Sequence, residues 1–182
     1  MITELLARRR VALGFVCGVV TLALAQPTRQ SIAIGMSIAA IGEALRVWAS
    51  GHLNKSREVT SSGPYRWLAH PLYAGSSIMG LGLAIACRSV VVAVVIALYL
   101  AITLTAAIRS EEAFLRRTFG DRYDRYRRRG ADAAPTSGAE RRFALSQAIA
   151  NREHRAIVGL LVAMLLLVLK ATYNGVFWRG GG

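Results

Sequence analysis

Along this chain, apolar residues fall in long runs with few charges, and polar residues collect in short stretches between them. Four runs stand out: Ser31 to Ala49, Leu72 to Cys87, Ser89 to Ile108 and Ala156 to Tyr173. A fifth, Val11 to Ala25, is shorter and uncharged. A helix needs about 20 mainly apolar residues to cross a bilayer. The pattern therefore predicts an all-α fold, a polytopic membrane bundle of about five transmembrane helices. The breaks agree with it. Pro27, in Gln26 to Gln30, marks a tight turn because proline cannot continue the hydrogen bonding of a helix. Arg88-Ser89 is a minimal turn, and Pro71 stands where a first helical turn tolerates proline.

Beyond Ile108 the character of the chain changes. Arg109 to Arg129 holds eight arginines, two glutamates and two aspartates. It reads as a helical extension of the fourth span into the cytosol, with Phe114, Leu115 and Phe119 on one face and Tyr123 and Tyr126 following at compatible spacing. Residues 130–138, with Pro135, read as a linker. Glu140 to Arg155 is a short basic amphipathic stretch expected at the headgroup level. An additional span, 156–173, ends the pattern, with Lys170 snorkelling outward and Trp178 anchoring the interface. The whole, 1–182, reads as a single domain.

Composition supports the membrane class: 54% of the 182 residues are hydrophobic. The net charge of +13 is almost wholly arginine, since Lys55 and Lys170 are the only lysines. In a soluble protein that balance would point to nucleic acid. Between membrane spans it points to anionic lipid headgroups and cytoplasmic loops, and no nucleic-acid partner is expected. Arg8 to Arg10, Arg57, Arg66 and the twelve arginines from Arg109 to Arg155 fall on one side, against Arg29, Arg88 and Arg179 on the other. That bias predicts an integral protein of a prokaryotic-type cytoplasmic membrane, N-terminus inside and C-terminus outside. The N-terminal arginines, apolar run and Ala23-Leu24-Ala25 also fit a signal peptide; the segment is read as a first span. Cys17 and Cys87 both fall in spans, without zinc spacing or a disulfide framework, and no metal site is expected.

Ionisable groups inside the bilayer are expensive and point to function by default. Glu43 and Arg46 lie three residues apart in the second run. They read either as a self-neutralising pair or as a carboxylate facing the bundle interior to meet a ligand's cation. Denser chemistry collects at two cytoplasmic clusters. One is Gly63-Pro64-Tyr65-Arg66-Trp67-Leu68-Ala69-His70-Pro71-Leu72-Tyr73-Ala74-Gly75, at the mouth of the third span, with Gly80 and Gly82 deeper. The other is Glu111-Glu112 followed by Phe119-Gly120-Asp121-Arg122-Tyr123-Asp124-Arg125-Tyr126. Adjacent acids on a helix point about 100° apart. One can pair with arginine while the other turns toward His70. The glycines fit either close helix packing or room for a flat ligand.

This order of motifs resembles the integral-membrane methyltransferase superfamily of isoprenylcysteine carboxyl methyltransferases and phospholipid (phosphatidylethanolamine) N-methyltransferases. The match covers 45–128. The resemblance implies S-adenosylmethionine as methyl donor, a cofactor pocket on the cytoplasmic side and a lipid-like acceptor entering from the bilayer. It places Tyr65, His70, Pro71, Tyr73, Gly75, Gly80 and Gly82 on one side of the cofactor. Glu111 and Glu112 lie on the other, with Tyr123 and Tyr126 nearby. Glu111, Glu112 and Arg66 become the expected catalytic residues. The family commonly has arginine before His-Pro, where this chain has Ala69; Arg66 lies one turn earlier. That departure counts against a prenylcysteine acceptor if the missing arginine handles a substrate carboxylate.

Transfer of a sulfonium methyl is an in-line displacement, for which a protein supplies mainly alignment and water exclusion. A glutamate suits the donor's ammonium; His70, Arg66 or a tyrosine hydroxyl suits its carboxylate. An ammonium acceptor would need one glutamate as base, and either fits. Prenylated cysteine, aminophospholipid, small thiol and fatty acid all stay open as acceptors. Two other readings stand beside this one: a sterol-reductase-like enzyme using NADPH, and a non-catalytic membrane protein whose basic arm binds lipid.

Overall fold

The computed structural model describes residues 14–54, 60, 62–120 and 142–174. Among these there is no strand. The chain is an all-α membrane bundle. Helix α1 is described over Gly14–Leu24. It is followed by α2 (Arg29–His52), a 3₁₀ turn (Gly63–Arg66), α3 (Pro71–Cys87), α4 (Val90–Phe119), the short α5 (Leu145–Ala150) and α6 (His154–Tyr173). Three helices, α2, α4 and α6, are long and apolar enough to cross a membrane; α1 and α3 are apolar but shorter. Large apolar side chains such as Val90, Val94 and Leu98 on α4, and Leu161 and Leu165 on α6, are exposed. In a lipid solvent that is where they belong.

The turns end the helices where the sequence predicts. Thr28 caps α2 in a reciprocal box with Ser31: the Ser31 amide donates to Thr28 Oγ1 at 3.1 Å and the Thr28 amide to Ser31 Oγ at 2.9 Å. Ser31 Oγ also reaches the Ala86 carbonyl at 3.0 Å, and the Gln26 amide reaches that of Cys87 at 2.8 Å. These bonds tie the α1–α2 turn to the far end of α3. Pro71 opens α3 with His70 as its N-cap residue, and Ser89 caps α4. At 30 residues, α4 is about 45 Å long, against about 30 Å of hydrocarbon. Its last turns, from Arg109, must project beyond the apolar layer, as the sequence predicts.

The closest packing is between antiparallel α2 and α3, and glycine makes it possible. Gly35 and Gly42 on α2 face Gly82 and Gly75 on α3, each pair seven residues apart. A methyl group on Gly35 would lie 2.4 Å from the Gly82 carbonyl oxygen. Backbones meeting at this distance are a membrane device, because lipid gives helices no hydrophobic reason to associate and contact must come from packing. Gly80 plays the same part toward α4, where an added methyl would lie 2.3 Å from Leu100 Cδ1.

The stretch before α6 forms α5, which closes the C-terminal end of α2. Helix ends leave carbonyls without partners. Gln147 Nε2 donates to the Leu53 carbonyl at 3.0 Å, and Asn151 Nδ2 donates to Ser50 and Leu53, each at 2.9 Å. At the other end of the bundle the Lys170 ammonium meets the Leu22 and Ala23 carbonyls at the end of α1, the latter at 2.8 Å. Tyr123, Tyr126, the linker at 130–138 and Trp178 lie outside the described residues.

Candidate active site

The first cluster is built on the 3₁₀ turn and the first turn of α3. Gly63 has φ +58°, and a side chain there would strike the His52 ring at 2.7 Å. The turn therefore sits directly on the end of α2, with Pro64 and Tyr65 buried beneath it. Arg66 and Ala69 are exposed, and His70 is half-buried. Because Pro71 fixes the start of α3, His70 and Tyr73 emerge on the same turn, their rings 5.6 Å apart.

The second cluster comes from α4 and meets the first. Tyr73 donates its phenol proton to Glu111 Oε2 at 2.8 Å. His70 Nδ1 lies 4.0 Å from the same oxygen, and His70 Nε2 lies 3.5 Å from Glu112 Oε1. Residues about 40 apart in sequence thus share one small space at the end of the bundle. The two adjacent acids use their angular offset to address the two ring nitrogens separately. Two carboxylates, an imidazole and a phenol thus meet at one point, and carboxylate oxygens accept hydrogen bonds from a cationic group.

The glycines fall elsewhere. Gly75 and Gly82 pack on α2 and Gly80 packs on α4, so in this arrangement all three hold helices together. Tyr65 lies buried in the turn beside the cluster, Pro71 is buried at the start of α3, and Tyr123 and Tyr126 lie outside the described residues. Among the described residues, no group of three or more His, Cys, Asp or Glu side chains could hold a metal ion.

A further polar group has a partner that the sequence does not announce. Glu43 and Arg46 pair at 3.4 Å as their spacing permits, but Glu153 from the start of α6 also reaches Arg46, at 2.6 Å. Arg46 donates to Ser76 on α3 as well. Glu153 lies in the stretch expected at the headgroups, and only the return of the chain through α5 brings it inside.

The family model for phospholipid methyltransferases matches residues 14–122, a span that contains His70, Tyr73, Glu111 and Glu112 and stops before Tyr123 and Tyr126. The chain belongs to the phospholipid methyltransferase family. Within this family it is similar to several curated proteins. It is 35% identical over 98 residues to the nickel-cobalt-cadmium resistance protein NccN of Alcaligenes xylosoxydans xylosoxydans, covering 53% of this chain and 44% of that protein. The cobalt-zinc-cadmium resistance protein CzcN of Cupriavidus metallidurans shows the same identity and coverage. The protein-S-isoprenylcysteine O-methyltransferase of Schizosaccharomyces pombe is 29% identical over 124 residues, covering 68% of this chain and 48% of that protein. This phospholipid methyltransferase family member thus spans about half the length of the curated relatives it matches. No solved structure matches it significantly.

Proposed function

We propose that the protein is an S-adenosylmethionine-dependent methyltransferase of the membrane, acting on a lipid-like acceptor at the cytoplasmic face. The observation that carries this reading is the meeting of His70 and Tyr73 with Glu111 and Glu112 at one end of the bundle. Membership in the family, and similarity to an isoprenylcysteine O-methyltransferase, support the reaction class.

The residues fit the donor's chemistry. When bound, S-adenosylmethionine supplies a methyl group already activated by its sulfonium. Its amino-acid end carries an ammonium, for which carboxylate oxygens are the natural acceptors. One of the two carboxylates, Glu111 or Glu112, holds that cation. His70 and Arg66 take its carboxylate, and the faces of Tyr65 and Tyr73 offer cation–π contact worth about 0.5–2 kcal/mol according to desolvation. Tyr73 has a second duty: its bond to Glu111 fixes that carboxylate against α3. Gly75, Gly80 and Gly82 enter indirectly, by holding α2 and α4 close to α3. For an amine acceptor, whichever glutamate is not paired with the donor serves as base; a carboxylate or thiolate acceptor needs none.

Mass action supplies the test, because a ligand that binds only the folded protein raises its melting temperature. S-adenosylhomocysteine is expected to stabilise the purified protein, and NADPH is not. Glu112→Gln and His70→Ala are expected to abolish the shift while melting near the parent protein. Unchanged stabilisation in both would reject the site. Labelled methyl donor, supplied with total lipid extract and with thiols in parallel, then identifies the acceptor class.

A further inference from the structure

Where α2 packs on α3, its residues are Gly or Ala: Gly35, Ala39 and Gly42 follow at spacings of four and three, close against α3. The next position in that register, four residues on, is Arg46, a long side chain where small ones precede it. It fits because it crosses Gly75, where a methyl would lie 2.6 Å from Arg46 Cγ. The guanidinium then divides itself among three helices. Nε lies 3.4 Å from Glu43 Oε2 on α2, Nη1 donates to Ser76 Oγ on α3, and Nη2 lies 2.6 Å from Glu153 Oε1 at the start of α6. The arm on α3 leads to the candidate site. Ser76 Oγ donates in turn to the Leu72 carbonyl at 2.9 Å, in the first turn of α3, from which Tyr73 and His70 reach α4. That turn has no side-chain cap of its own.

Stability alone does not call for this arrangement. Charges are costly to bury, and replacing a buried ion network with well-packed apolar residues is often neutral or stabilising. What the guanidinium adds is direction. Its planar fork sends N–H groups along fixed lines to three different partners, which a single ammonium cannot do. We propose that Arg46 is a positioning residue: held from either side by Glu43 and Glu153, it fixes the first turn of α3 so that Tyr73 meets Glu111. Glu153 lies beyond the residues that the family model matches, so the chain after α4 helps to shape the site without touching a ligand. The inference deepens the methyl-transfer reading, and its consequence for donor binding rests on that reading.

Two readouts test it, one of them independent of any ligand. The full chain in phosphatidylcholine nanodiscs, with Cys17→Ala and Cys87→Ala, carries spin labels at Ala69→Cys and Thr118→Cys. Both positions are exposed, one beside His70 and the other two turns beyond Glu111 on α4. Double electron–electron resonance is expected to give one narrow distance distribution for the parent protein. Ser76→Ala, Glu153→Ala and Arg46→Lys, which keeps the charge without the fork, are each expected to broaden or displace it. The second readout is affinity for S-adenosylhomocysteine. Ser76→Ala is expected to weaken it roughly tenfold, as Tyr73→Phe does, and the double variant no more than Tyr73→Phe alone, because both act through one hydroxyl. A merely structural defect would add to Tyr73→Phe, giving about a hundredfold. Additive losses, or distance distributions in Ser76→Ala or Arg46→Lys that match the parent's, overturn the proposal. Should Glu153→Ala fail to fold, the other two variants decide. Should the parent protein bind no S-adenosylhomocysteine, the methyl-transfer reading falls, and the spin-label distances alone decide whether Arg46 sets α3.

Discussion

Tyr73 is the residue on which the two halves of the candidate site turn. Its hydroxyl joins α3 to Glu111 on α4 at 2.8 Å, while its ring lies beside His70. Hydrogen bonds to charged groups are worth about 1.5–3 kcal/mol, and the half-exposed setting of Glu111 places this one near the lower end. Tyr73→Phe keeps the ring and removes the bond. It is expected to weaken S-adenosylhomocysteine binding by roughly tenfold with little change in melting temperature, as read by titration calorimetry. Affinity equal to that of the parent protein would show that Glu111 needs no anchoring. Asn151 offers a purely structural contrast. Its amide serves two carbonyls at the end of α2, and Asn151→Ala removes one donor from each, leaving the Leu53 carbonyl to Gln147 and the Ser50 carbonyl to the Leu53 amide. The expected loss is about 1–3 kcal/mol in detergent denaturation. Asn151→Asp is expected to be worse, since an ionised carboxylate accepts and cannot donate to them.

At the scale of helices, the fold depends on how near α2 and α3 can come. Gly82→Ala puts a methyl 2.5 Å from the backbone of Gly35 and Ala39, and a backbone cannot step aside as a side chain can. Such overpacking costs about 1–3 kcal/mol or more. The expected outcome is a clear fall in melting temperature. Gly159→Ala on α6 meets nothing within 4 Å and is expected to leave the melting temperature unchanged or slightly raised. Equal behaviour of the two variants would mean that the glycine seam is not what holds α2 to α3. The same contrast marks what could be read from the chain alone. Span limits, Pro71 at the start of α3, the continuous α4 and the approach of an α4 glutamate to His70 were legible, because each follows from local pattern or from a motif order; that both acids face the imidazole was not. The role of the glycines stayed divided between packing and ligand space, since only the register of α2 on α3 decides what each one faces. The partners of Glu153 and Lys170 were not legible for a related reason. A charged residue near a helix end looks solvated in one dimension; its partner appears only when the chain returns through α5.

The bundle as a whole has two chemically different ends. One carries His70, Glu111, Glu112 and the α5 cap. The other carries the Pro27 turn, the Arg88 turn and Lys170 against α1. The 17 residues of α3 set these ends about 25 Å apart. Methyl donor is made and held in the cytosol, so the reading of the site requires its end to face inward. The arginine bias of the sequence asks for the same orientation. Single cysteines separate the possibilities in a Cys17→Ala, Cys87→Ala background. Ala69→Cys lies exposed beside His70, and Gln26→Cys lies exposed at the opposite turn. With a membrane-impermeant maleimide, Ala69→Cys is expected to label in inside-out vesicles and Gln26→Cys in right-side-out vesicles. The reverse pattern would put both acids and the imidazole on the outer face, beyond the reach of a cytosolic donor. It would remove the methyl-transfer reading whatever the geometry of the cluster.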